Sequence, residues 1–225
     1  MKLFEWNDLK IYLECEVSGF LSNIKNYFFL EESSFSKEDS DIVFSIYNSN
    51  QQMFPALKKN NHLVRTIDLF LEKNFELKIY ANECELWYFY GDFAKVWIDF
   101  KQNKIILSLG KKLLHFSYYN ILFFFFYPLS QLLENFGFYK LHSSCAGIDR
   151  KAVLFTGDSG SGKSTSAFAL AAGGRNIISD DLTFIKKEGH SFYACPMNCL
   201  AKLHENTLMN IETDVMYHCL SSIIL

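Results

Sequence analysis

Alternation of apolar and polar positions dominates the first 135 residues. Period-two segments run over Lys10–Val17, Asp41–Tyr47, Leu77–Tyr80, Glu85–Tyr90, Ala94–Phe100 and Lys104–Leu109, the pattern of strands that bury one face. Lys101-Gln-Asn103 joins the last two as a hairpin turn. Leu63, Ile67, Phe70 and Leu71 instead recur at helical spacing, and a second helix is expected over Tyr119–Asn135, ending before Gly137. Pro128 either kinks that helix or begins a new one. Ser33–Asp41 and Asn48–Gln52 are polar enough to be exposed loops.

From Tyr139 onward the pattern changes. Tyr139–Ile148 reads as a strand, Gly147-Ile-Asp-Arg150 as a turn and Ala152–Thr156 as a second strand. Lys163–Ala172 then reads as a helix closed by Gly173-Gly174, and Asn176–Ser179 as a short strand with Asp180-Asp181 at its carboxyl end. Strand, loop, helix, strand is a crossover unit, which makes its two strands parallel and brings their carboxyl ends to one edge. The expected fold class is α/β: a core over 137–225, preceded over 1–136 by a mostly antiparallel, β-rich α+β region of unassigned role.

Composition narrows this only a little. A chain of 225 residues, 49% hydrophobic, can bury a sizeable core in one domain or in a domain with a smaller appendage. Its 22 Lys and Arg against 25 Asp and Glu give a net charge of −3, no electrostatic reason to expect nucleic acid or an anionic membrane as partner. The run Ile121–Tyr127 is apolar throughout, but a bilayer needs about 20 such residues, so a buried helix or strand is expected instead. Met1-Lys-Leu-Phe-Glu-Trp-Asn-Asp8 carries acidic residues where a signal peptide would be basic and then apolar, which points to a cytoplasmic protein. Of the six cysteines only Cys195 and Cys199 are close in sequence. With His204 and His218 they suggest zinc, yet the spacing fits none of the usual frameworks, and reduced thiols are the expectation.

The chemistry concentrates after the strand Ala152–Thr156. Gly157, Asp158, Ser159, Gly160, Ser161, Gly162, Lys163, Ser164 and Thr165 form a complete G-x-x-x-x-G-K-[ST] phosphate-binding loop, with strand before it and helix after it. Backbone N–H groups of such a loop and the positive helix end make a concave anion site suited to ATP. Lys163 is placed for the β- and γ-phosphates, and Ser164 for Mg²⁺. Phosphoryl transfer further needs a carboxylate on the metal and a group that takes the acceptor's proton. Asp180 and Asp181 supply both, and His142, on the strand before the loop, is a third candidate.

Leu141-His142, the strand-turn-strand that leads to Gly157, the loop itself, the helix Ser164–Ala172, Gly174 and Ile177-Ile-Ser-Asp-Asp181 together resemble the core of the HPr kinase/phosphorylase superfamily. The nearer likeness is to its HPr-kinase-like branch, associated with bacterial peptide modification clusters. It covers about residues 139–203, and Thr165 stands where HPr kinases proper usually carry glutamate. The resemblance implies a P-loop core of the HPr kinase/phosphoenolpyruvate carboxykinase type. It also implies His142 near the transferred phosphate, Lys163 and Ser164 on nucleotide and Mg²⁺, and Asp180 and Asp181 sharing metal binding and acid/base duty. It further implies strands, helices and a substrate-contacting loop beyond Leu225, so the core is expected to be truncated there; catalytic competence and phosphorylase activity stay open. The functional expectation is an ATP- and Mg²⁺-dependent kinase acting on a serine or other hydroxyl of a peptide, protein or small molecule. The alternative is a nucleotide-binding module without transferase activity. A transport or motor NTPase is disfavoured, because no LSGGQ-like signature is present. Neither the acceptor nor the oligomeric state is derivable from the sequence.

Overall fold

A computed structural model describes residues 2–17, 20, 24, 31–48, 54–70, 74–111, 118–148 and 151–196, with backbone alone over 118–122. The described residues up to Phe136 form one compact unit and those from Gly137 onward a second.

The first unit is built on β1 (Lys2–Trp6), β2 (Leu9–Cys15), β3 (Glu31–Glu32), β4 (Ile42–Asn48), β5 (His62–Phe70), β6 (Asn74–Ala81), β7 (Glu85–Tyr90), β8 (Ala94–Asp99) and β9 (Lys104–Leu109). They make a nine-stranded sheet in the order β3-β1-β2-β4-β9-β8-β7-β6-β5. β4 runs parallel to β2 and β9, and the other pairs are antiparallel. β1 escaped the sequence reading. Its hairpin with β2 turns on Asn7 and Asp8, both at positive φ (47° and 66°), the pairing expected of a two-residue hairpin turn.

Helix α1 (Tyr118–Leu133) continues through Pro128 and ends in a 3-10 turn, Glu134–Phe136. It lies against β8 and β9. The phenylalanine run is what it buries: Phe125 stacks on Phe44 of β4 at 4.7 Å, and Phe124 meets Tyr90 of β7 edge-on at 4.7 Å. Side chains alternate along a strand, so Trp87 takes the face away from Tyr88 and Tyr90. There it packs with Trp97 and Ile106, flanked by Tyr47, Phe54, Tyr80 and Phe89. Both faces of the middle of the sheet are therefore covered.

One charge enters that second cluster. Glu85 is buried, accepting from Lys58 Nζ at 2.7 and 2.8 Å, Asn82 Nδ2 at 2.8 Å and Trp97 Nε1 at 3.2 Å. Burial opposes its ionisation, but the Lys58, Asn82 and Trp97 hydrogen bonds outweigh it and hold the carboxyl below its ordinary value of 4.5. A group whose folded pKa is depressed contributes stability above the unfolded pKa and loses it as pH falls through the folded one. Urea unfolding should therefore show stability falling below about pH 4.5. Glu85→Gln should flatten that part of the profile and cost about 2 kcal/mol at neutral pH.

The second unit holds β10 (Phe138–Leu141), β11 (Ser143–Ile148), β12 (Lys151–Thr156), α2 (Lys163–Ala172), β13 (Asn176–Ser179), β14 (Thr183–Glu188) and β15 (Ser191–Cys195). Its two three-stranded sheets are ordered β10-β14-β15 and β12-β11-β13. α2 packs on β11, β12 and β13, burying Ala167, Phe168 and Ala171.

Three expectations are corrected here. The fold class is not α/β: the described residues are mostly β, with 53% in strands and 17% in helices, and the largest sheet is mixed. The crossover that suggested a parallel sheet is interrupted, because β11 lies between β12 and β13 and is antiparallel to both. β12 and β13 thus point the same way without touching as neighbours. The helix expected around Leu63–Leu71 is strand β5, paired with β6. Ile67 and Leu69 are half-buried between exposed Thr66, Asp68 and Phe70, and a register shift between Leu63 and Arg65 disguises the period of two. Finally, the single strand expected over 139–148 breaks at His142: Leu141 pairs with Thr183 in one sheet and Ser143 with Thr156 in the other. The turn at 149–150 lies outside the described residues. Among the described residues no helix is long and apolar enough to cross a membrane.

Candidate functional site

The phosphate loop occupies the turn between β12 and α2. Gly157 has φ 150° and Gly162 φ 86°, a region side chains rarely enter. A Cβ on Gly157 would also stand 2.8 Å from Ser161 Oγ. α2 begins at Gly162 with no side-chain cap, so no capping side-chain oxygen meets its first-turn N–H groups. Lys163 is buried and bends back into the loop, where its Nζ donates to the carbonyls of Gly157 and Asp158, each at 2.9 Å. The two loop carbonyls thus hold its ammonium against the start of the loop. Asp158, Ser159, Gly160, Ser161 and Thr165 are exposed around it.

The carboxyl end of β13 reaches the same place by way of the central strand. Ser144, buried on β11, donates its hydroxyl to Asp180 Oδ1 at 2.6 Å, and its oxygen lies 3.4 Å from Ser164 Oγ. One hydroxyl thus ties the carboxylate to the loop serine. The two aspartates then separate. Asp180 is 3% exposed, whereas Asp181 is exposed, with φ at 63°. The Leu182 N–H closes the turn onto the Asp180 carbonyl at 2.7 Å. Buried hydroxyls hold this turn from below: Ser143 Oγ donates to Thr183 Oγ1 at 2.9 Å, and Thr183 meets Ser179. They join β11, β13 and β14, and with them the two sheets of the unit. His142 is exposed at the step between β10 and β11, beside the strand positions that lead into the loop and out of the Asp180–Leu182 turn.

Sequence reasoning missed Ser144. The available signal was a pair of hydroxyls, Ser143 and Ser144, on a strand that continues with Cys145 and Ala146, where burial obliges a polar group to find a partner. Among the described residues no three of His, Cys, Asp and Glu cluster. Cys195 is buried, while Cys199, His204 and His218 lie outside the described residues. Cys145 is buried on β11 with its thiol pushed up to about 11 by burial, which leaves it protonated and unreactive. The donors that do meet, a carboxylate and a hydroxyl, are hard oxygens of the kind Mg²⁺ takes together with phosphate oxygens and water.

Ser144→Ala removes the hydroxyl that orients both. On the expectation of Mg-ATP binding, nucleotide affinity measured by calorimetry should fall about tenfold with Mg²⁺ present and change little with chelator, as for other groups that position a metal ligand. Equal losses in both conditions would mean that Ser144 acts on the fold alone.

Compared with protein-family models and with curated proteins, the chain matches none.

Proposed function

We propose that the second unit binds Mg-ATP and transfers its γ-phosphoryl group to a hydroxyl of a peptide, protein or small molecule, in line with the resemblance to HPr-kinase-like proteins. The observation that carries this reading is the Ser144 bridge, which brings the loop serine and Asp180 to one point beside the uncapped start of α2. In this reading the loop amides and Lys163 hold the phosphates, and Ser164 and Asp180 are the ligands for Mg²⁺, which neutralises phosphate charge when bound. The acceptor oxygen attacks the γ-phosphorus as the bond to the β–γ bridging oxygen breaks, and nucleoside diphosphate leaves. Asp181, exposed at the same turn, takes the acceptor's proton; His142 stands at the same edge as a second group for that role.

Incubation with γ-labelled ATP, Mg²⁺ and a panel of serine peptides and small alcohols tests it. Transfer that is lost in Asp181→Asn, with ATP affinity kept, supports the assignment. Tight ATP binding with no transfer to any acceptor would favour the nucleotide-binding module instead.

A further inference from the structure

Thr183 touches both segments that carry the exposed acid/base candidates. Its backbone pairs with Leu141 of β10 in one sheet and its hydroxyl meets Ser143 of β11 in the other, so His142 stands between two residues that Thr183 holds. On its own side, Ser179 closes β13 and Thr183 opens β14, with Asp180, Asp181 and Leu182 between them.

Hydrogen-bond accounting gives the hydroxyl cluster a direction. Thr183 Oγ1 lies 3.3 Å from the Ser143 carbonyl, which can only accept, so the single Thr183 proton goes there. Ser143 Oγ, at 2.9 Å, and Ser179 Oγ then both donate to Thr183. One donation and two acceptances fill the capacity of a hydroxyl. All three residues are buried, so loss of the central oxygen would strand two hydroxyl donors away from water.

The contact between Ser179 and Thr183 also clamps the two ends of a three-residue reversal. Within it the Leu182 N–H reaches back to the Asp180 carbonyl at 2.7 Å, around Asp181 at φ 63°. Such a bond from residue i+2 to residue i about a centre at positive φ makes a γ-turn of the rare, strained kind. Strain of this sort persists only where the surroundings impose it, and here the clamp grips the chain on both sides of the turn.

We infer that Thr183 is a positioning residue: its hydroxyl clamps the chain across Asp180–Leu182, imposes the strained turn at Asp181, and with Leu141 and Ser143 fixes the step that carries His142. Its effect on the turn stands without phosphoryl transfer; its effect on catalysis rests on the reading in which Asp181 takes the acceptor's proton.

The residue at 181 reports on the clamp. Glycine enters positive φ freely and alanine does not, so Asp181→Gly should melt about 4 °C above Asp181→Ala in scanning calorimetry of the full chain. With Thr183→Val added to each, the turn is released and the gap should close to under about 1 °C. With Thr183→Ser, which keeps the oxygen, the gap should remain. Should Thr183→Val fail to fold, Ser179→Ala, which removes the clamp and leaves the other bonds of Thr183, takes its place in the same comparison. In phosphotransfer, Thr183→Val should lower kcat about tenfold or more with the KM for ATP unchanged, since a misplaced group slows the step without loosening the nucleotide. Thr183→Ser should recover that rate. A gap that closes in a chain with no transfer to any acceptor supports the clamp and removes the kinase reading. A gap of equal size with and without the Thr183 hydroxyl, or full kcat in Thr183→Val, would overturn the inference.

Discussion

Asp180→Asn should reduce phosphotransfer by about a thousandfold, equivalent to about 4 kcal/mol of barrier. The substitution keeps size and shape, and the amide oxygen can still accept from Ser144 Oγ, now 2.6 Å from Oδ1. What disappears is the charge, at a point 3% exposed where water does little to replace it. The effect should therefore fall on Mg²⁺ dependence: the metal concentration for half-maximal rate should rise together with the loss of kcat. The thermal midpoint should move by no more than a few degrees. A variant that retains a tenth or more of the wild-type rate would remove Asp180 from the site. Ser144→Ala, which leaves the charge and removes only its orientation, should lie well between the two.

Phe125→Ala should cost the first unit about 3–5 kcal/mol. Phe125 is wholly buried in α1 and stacked on Phe44, so truncation removes a ring from both the helix and the β4 face. Small domains are stable by about 5–15 kcal/mol, and a loss of this size takes a large share. All three tryptophans, Trp6, Trp87 and Trp97, lie in that unit. Urea unfolding followed by tryptophan fluorescence thus reads its stability directly. The exposed Phe70 of β5 offers the contrast within the same unit: Phe70→Ala should shift stability by less than about 0.5 kcal/mol. Comparable losses from the two changes would mean that the phenylalanine run is not the core it forms here.

The elements that sequence pattern located are those whose cause is local. β7, β8 and β9 are legible because apolar residues recur at every second position for the face under α1, although Trp87, Trp97 and Ile106 bury the other face as well. α2 is marked at both ends by glycine, and the strand before the loop is a continuous apolar run. Where pairing partners decide, the pattern misled. A register shift in β5 converted a strand into an apparent helix, and β1 stands out only once its hairpin with β2 is seen. The α/β expectation failed for the same reason: a crossover unit says that two strands are parallel, and nothing local reveals a third strand of opposite direction between them.

The nine residues from Gly157 to Thr165 determined the backbone of the loop by themselves, because positive φ at glycine and an uncapped helix start are consequences of residue type and spacing. Tertiary structure decided what surrounds it. Insertion of β11 between β12 and β13 carries Ser144 to Ser164 and Asp180, and the buried hydroxyls of Ser143, Ser179 and Thr183 set the turn that sends Asp180 inward and Asp181 out. Those contacts join positions up to 40 residues apart. They depend on which strands pair, a choice made by burial over the whole unit rather than by any short stretch of the chain.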